Sequence, residues 1–80
     1  MSILPVQESK ATKVKVTQSE LIIYLADGRQ LNVPLIWFPK LLKASQISRR
    51  KYILIGNGIG IHWPDLDEDL SVKAMLLPNA

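Results

Sequence analysis

Any chemistry in this chain would be expected where Gly56-Asn57-Gly58-Ile59-Gly60-Ile61-His62-Trp63-Pro64 runs into Asp65-Leu66-Asp67-Glu68-Asp69-Leu70-Ser71. The glycines invite comparison with a phosphate loop, but a dinucleotide-binding turn needs G-x-G-x-x-G between a strand and a helix. Here the third glycine comes one residue early, and the following Ile59-Gly60-Ile61-His62-Trp63 alternates like a strand. A Walker loop is excluded as well, because no Gly-Lys-Ser/Thr is present. His62 is the single histidine, so a zinc-type site would need carboxylates to complete it. Asp65, Asp67 and Asp69 resemble the start of a calcium loop, yet Leu70 stands where glycine is required and Leu76 where the closing acid belongs. General acid–base work would fall to His62 with Asp65, Asp67 or Glu68, and the candidate nucleophiles Ser45, Ser48 and Ser71 lack a recognisable elbow or partner base. No catalytic, cofactor-binding or metal-ligating residue is therefore assigned, and no small-molecule substrate is expected. The acids fit a structural role better, with Asp65 capping a short turn and Glu68 completing a capping box.

A second kind of chemistry is phosphate attraction. Lys40, Lys43, Arg49, Arg50 and Lys51 gather around one expected helix and its exit, in a chain with an isoelectric point near 9.5. Such a cluster suits a nucleic-acid binder. Against it stand the lack of a helix-turn-helix pattern and of aromatics interleaved on a basic sheet. Charge is also unevenly spread. Residues 1–64 hold nine Lys/Arg against three Asp/Glu, and residues 65–80 one Lys against four acids, so a net +3 divides into +6 and −3. A basic body with an acidic end favours contacts between copies or with a partner.

These residues need elements to hold them. Residues 1–11 read as a flexible arm pinned at Ile3 and Leu4, followed by a single compact domain over 12–77 and a tail at 78–80. Val14 and Val16 alternate with Lys13, Lys15 and Thr17, the pattern of a lysine-protected edge strand. Leu21-Ile22-Ile23-Tyr24-Leu25 reads as a strand buried on both faces. Asp27-Gly28 signals a hairpin, and Leu31 and Val33 return as a third strand. From Leu35 to Ser45 the period becomes helical, with Leu35, Phe38, Leu41 and Leu42 on one side and Trp37 at the margin; Pro39 fits only in the first turn. Ser48-Arg49-Arg50-Lys51 reads as a basic connector, Tyr52 to Ile55 and Ile59 to Trp63 as a hairpin, and Ser71 to Leu77 as a short capped helix. The expected class is α+β in two layers: a three-stranded antiparallel meander, one helix, a β-hairpin and a C-terminal helix.

In the strand ending at Trp63, Ile59, Ile61 and Trp63 share one face, and Gly58, Gly60 and His62 the other. One face is bulky; the other is bare until His62, a pattern that often marks close approach of another backbone, a side chain or a ligand, whether from this chain's own helix or N-terminal arm or from a partner. With 80 residues the chain closes one small core, and its 48% apolar content argues against disorder. It has no cysteine, no apolar run of spanning length and no signal-peptide layout, which points to a cytoplasmic protein without membrane partners.

The chain resembles a small prokaryotic family, the domain of unknown function 2442. The likeness covers roughly Thr12 to Leu77 and rests on Asp27-Gly28-Arg29, on Val33-Pro34-Leu35 with Trp37-Phe38-Pro39-Lys40-Leu41-Leu42, and on the segment from Gly56 through Pro64 with Leu66-Asp67-Glu68-Asp69-Leu70-Ser71. The resemblance implies a compact α+β fold with a helix packed on one side of its strands, and no established activity. Some relatives resemble antitoxin components encoded beside small ribonuclease-type toxins, and the family supplies no agreed functional residues. The expectation is thus a non-enzymatic interaction module, either an antitoxin-like partner of a small toxin-type protein or a homo-oligomer. Its contact residues would be Trp37, Gly60, His62, Trp63, Asp65, Asp67, Glu68 and Asp69. The alternative is a small nucleic-acid binder using Lys40, Lys43, Arg49 and Arg50.

Overall fold

Alternating residues in the first part of the chain become a meander: β1 (Ala11–Val16), β2 (Glu20–Leu25) and β3 (Gln30–Pro34), hydrogen-bonded in the order β1-β2-β3. The computed structural model describes residues 9–76. The β2–β3 turn at Asp27-Gly28 places Gly28 at φ 95°, with Leu25 C=O accepting from Gly28 N–H and Leu25 N–H donating to Arg29 C=O. Only glycine enters that region freely, so the dipeptide sets the register. One expectation is corrected here. Leu21, Ile23 and Leu25 are buried, but Ile22 and Tyr24 are only half-buried, because their outward face carries no covering layer and the Lys13 ammonium lies 5.6 Å from the Tyr24 ring centre.

The helical region is segmented. A 3₁₀ turn at Leu35–Trp37 is followed by α1 (Pro39–Leu42), with Pro39 in its first turn as expected, and α2 (Gln46–Arg50). The basic connector is thus mostly helix, capped by the Ser45 side chain accepting from Ser48 N–H at 3.1 Å. A second antiparallel sheet then forms from β4 (Ile53–Ile55), β5 (Gly60–Trp63) and β6 (Glu68–Ser71), and α3 (Val72–Leu76) follows.

β6 replaces the expected capping box. Pro64–Leu66 is a 3₁₀ turn without a side-chain cap, Asp67 takes a left-handed φ of 51°, and Glu68 opens a strand. Asp67 in that conformation makes a strand-to-strand reversal, for which a short polar side chain is suited. Ser71 caps α3 as expected, its oxygen accepting from Ala74 N–H at 3.2 Å.

The class is α+β: the described residues form two small antiparallel sheets and three short α-helices. Both sheets feed one core, in which Leu21, Ile23, Leu35, Leu41, Ile61, Trp63 and Val72 are fully buried. Ala11 already belongs to β1, and Lys10 C=O accepts from Ala26 N–H at 2.8 Å, so order begins before the expected domain boundary at residue 12. The arm over residues 1–8, with its pins at Ile3 and Leu4, and the tail at 78–80 lie outside the described residues. Among the described residues no helix is long and apolar enough to cross a membrane.

Candidate functional site on the second sheet

Register decides which side chains of the second sheet meet. Ile53 pairs with His62 and Ile55 with Gly60 across β4 and β5; His62 pairs with Asp69 and Gly60 with Ser71 across β5 and β6. Directly opposed residues share a face, so Ile53, Ile55, Gly60, His62, Asp69 and Ser71 lie together. The opposite rows, Leu54, Ile61, Trp63 and Leu70, belong to the core or pack against it. Ile53 and Ile55 remain 53% and 45% exposed, and Ile59 beside the preceding turn 40%. A strand that reads as an apolar run thus buries only Leu54, and that only partly.

The bare glycine face divides in two. At Gly58 (φ 103°) a β-carbon would collide with the Ala11 backbone, so the chain's own first strand fills that space. At Gly60 a β-carbon would stand 3.5 Å from Leu70 C=O and 3.7 Å from Ile55 Cβ, in ordinary contact. Gly60 is therefore a shallow place on the outer face, and Ile55 forms its wall. Ile59 leaves the expected core face because the turn Gly56–Gly58 ends with Ile59 in an αR conformation; alternation starts only at Gly60.

On the same face His62 Nδ1 meets the Asp69 carboxylate. A carboxylate on one ring nitrogen orients the imidazole. No nucleophile completes a catalytic set: Ser71 stands opposite Gly60 rather than His62, and its oxygen caps α3. Among the described residues no group of three or more His, Cys, Asp or Glu has the arrangement of a metal site.

The other expected contact residues fall elsewhere. Trp63 is fully buried, its indole N–H donating to Arg49 C=O at 3.0 Å and its ring 6.5 Å from that of Tyr52, so it is a core anchor and not a contact residue. Pairing with Trp63 puts Glu68 on the inner side, where it meets Lys40 at 3.8 Å. Asp65 accepts from Ser48 Oγ at 3.1 Å and pairs with Lys51 at 3.5 Å, tying the β5–β6 turn to α2. Asp67 occupies that same turn. Trp37 is 64% exposed next to Ile36 on the 3₁₀ turn. Of the eight residues, Gly60, His62 and Asp69 share the outer face; Ile53, Ile55 and Ile59 were missed. The sign for them was available, because a strand paired with a bare face must bare its own alternate residues.

The basic set is also divided. Arg49 donates from Nε to Leu41 C=O and from Nη2 to Leu42 C=O, both at 2.9 Å, satisfying the end of α1. Lys40 donates to Asp67 C=O at 3.1 Å. Lys43 and Arg50 are exposed.

No curated protein matches the chain. A crystal structure of a protein of unknown function from Rhodospirillum rubrum ATCC 11170 is similar, at 28% identity and a TM-score of 0.75, covering 88% of this chain and 87% of that one. The model of the protein family of unknown function DUF2442 matches residues 11–79, nearly the whole described fold, and the chain belongs to that family.

Proposed function

We propose that this chain is a non-enzymatic protein-interaction module that docks a second protein chain on the outer face of its second sheet. The observation that carries this reading is the pairing of Ile53 and Ile55, both about half exposed, against Gly60 and the His62–Asp69 pair. Apolar side chains beside a shallow floor, rimmed by a polar pair, have the composition of an interface centre with its edge. An antitoxin-like role toward a small toxin-type protein, or self-association, both use such a face. The nucleic-acid alternative retains fewer supports, since Arg49 and Lys40 hold carbonyls of this chain.

The test is light scattering of the purified chain, alone and with its captured partner, for the unmodified protein and an Ile53→Lys/Ile55→Lys variant. Both positions are exposed, so the variant should keep its melting temperature within a few degrees. The dimer mass, or the stoichiometric complex, should weaken at least about tenfold. A chain that is monomeric and takes up only RNA or DNA, in a salt-sensitive manner, overturns the reading.

A further inference from the structure

The outer edge of β1 is a second surface, independent of the sheet face above. Thr17 N–H donates to Glu20 C=O at 2.9 Å, and in the β1–β2 register the bonded positions recur every second residue at Lys15 and Lys13. Val14 and Val16 therefore turn their backbone groups away from β2. Val14 N–H donates to the Tyr52 hydroxyl at 3.1 Å, which closes that end of the edge. Two residues on, the Val16 N–H and C=O have no partner among the described residues. Across from them stands α2, leaving a groove of about 290 Å³ walled by Val14–Gln18 on one side and by Gln46, Arg49, Arg50 and Tyr52 on the other.

The groove is cationic. Lys15, Arg49 and Arg50 line it, with no acid among the described residues. The Arg49 guanidinium is occupied by the α1 carbonyls, but Lys15 and Arg50 are exposed and have no ion-pair partner among the described residues. An open strand edge beside unpaired cations is what strand addition by an acidic segment requires: main-chain bonds give affinity, and alternate side chains give choice. The lysines also limit the occupant. Two copies of this edge would repel, as edge lysines commonly ensure. The acids of β6 are engaged already, Glu68 with Lys40 and Asp69 with His62. Among the described residues the one aromatic wall, Tyr52, has its hydroxyl on Val14 and its ring beside Trp63, so they offer no stacking platform for bases.

We propose that the β1–α2 groove receives an extended acidic segment of another protein, which adds to the edge through the Val16 N–H and C=O and pairs its carboxylates with Lys15 and Arg50. The test is titration of the isotope-labelled chain with a blocked Glu-Val-Glu-Val-Glu-Val peptide, followed by amide chemical shifts. The largest shift should fall at Val16, with others confined to Val14–Gln18 and Gln46–Arg50. The Lys15→Glu/Arg50→Glu variant, and the peptide N-methylated at alternate residues, should each bind roughly tenfold more weakly. Both substituted residues are exposed, and the dispersion of the variant's amide spectrum checks its fold. The proposal is overturned by any of five results: equal binding of a Lys-Val peptide; shifts centred on Ile53 and Ile55; unchanged affinity of the double variant; preference for a single-stranded oligonucleotide; or a doubling of mass without peptide that the same variant abolishes.

Discussion

The first sheet has strands of six, six and five residues, and its outward face is mostly polar or amphipathic, with Lys13, Lys15, Tyr24 and Asn32 around a half-buried Ile22, over a buried row of Val14, Leu21, Ile23 and Val33. The second has strands of three, four and four residues and reverses that order of priorities: it buries Ile61 and Trp63 but leaves two of the three β4 residues, both isoleucines, exposed. Length explains part of the contrast. A three-residue strand with its central residue inward must send both neighbours outward. Nothing in that geometry requires those neighbours to be apolar, whereas a solvated face would normally carry Lys, Thr or Glu. The first sheet's outward face thus has mainly groups that water solvates well, whereas the second leaves isoleucines exposed, the feature on which the proposed docking face rests.

The comparison breaks most severely at Trp63, through which the second sheet reaches the core. Trp63→Ala should cost about 3–5 kcal/mol, from lost burial and the cavity left behind, and should also release Arg49 C=O from its indole partner. Chemical denaturation measures this; a loss under about 1 kcal/mol would mean the second sheet contributes little to the common core. Next comes the pair of glycines. Gly58→Ala should cost about 2–3 kcal/mol, since it combines a left-handed φ with collision against Ala11. Gly60→Ala should stay within about 1 kcal/mol, because its neighbours stand at contact distance. Equal costs at the two positions would remove the distinction between the filled and the open part of the glycine face.

The smallest effect belongs to the first sheet's turn. Arg29 N–H and the Arg29 guanidinium hold the Asp27 carboxyl below its usual range, the backbone bond contributing most. A lowered folded-state value stabilises above the unfolded aspartate value, about 4, and that contribution is lost as pH falls through the folded value. Asp27 is exposed, so Asp27→Asn should lower the melting temperature only slightly at neutral pH. The difference should shrink progressively below about pH 4. A difference that persists unchanged in stronger acid would show that the turn depends on shape and not on the charge.

Much of this was legible in the residues. The Lys-Val alternation, the Asp27-Gly28 turn, Pro39 in a first turn and Ser71 as a cap all act through neighbours close in sequence, and all stand in the structure. What was not legible depended on pairing between distant segments. Glu68-Asp69-Leu70-Ser71 becomes a strand because β5 offers it an edge. Trp63 looked like a contact residue until its neighbours Tyr52 and Arg49 closed over it. Arg49 looked like a phosphate ligand because nothing local says that the end of α1 needs its guanidinium. Ile53 and Ile55 belong to an apolar strand whose sequence does not say which residues face outward until its register is known.

The approach of Ala11 to Gly58 also bears on how the molecule folds. Each sheet is a meander wired through short reversals, and such local contacts form quickly. Joining them requires β1 to meet a turn some forty-seven residues later in the chain, and Val14 to reach Tyr52. Closing that long loop carries an entropy cost that neither meander bears alone, so docking of the two halves should be the slower step in folding kinetics. Because both sheets share one core, the contact should bind them into one cooperative unit, in which amide protons at the centres of β2 and β5 should exchange with solvent through the same global opening.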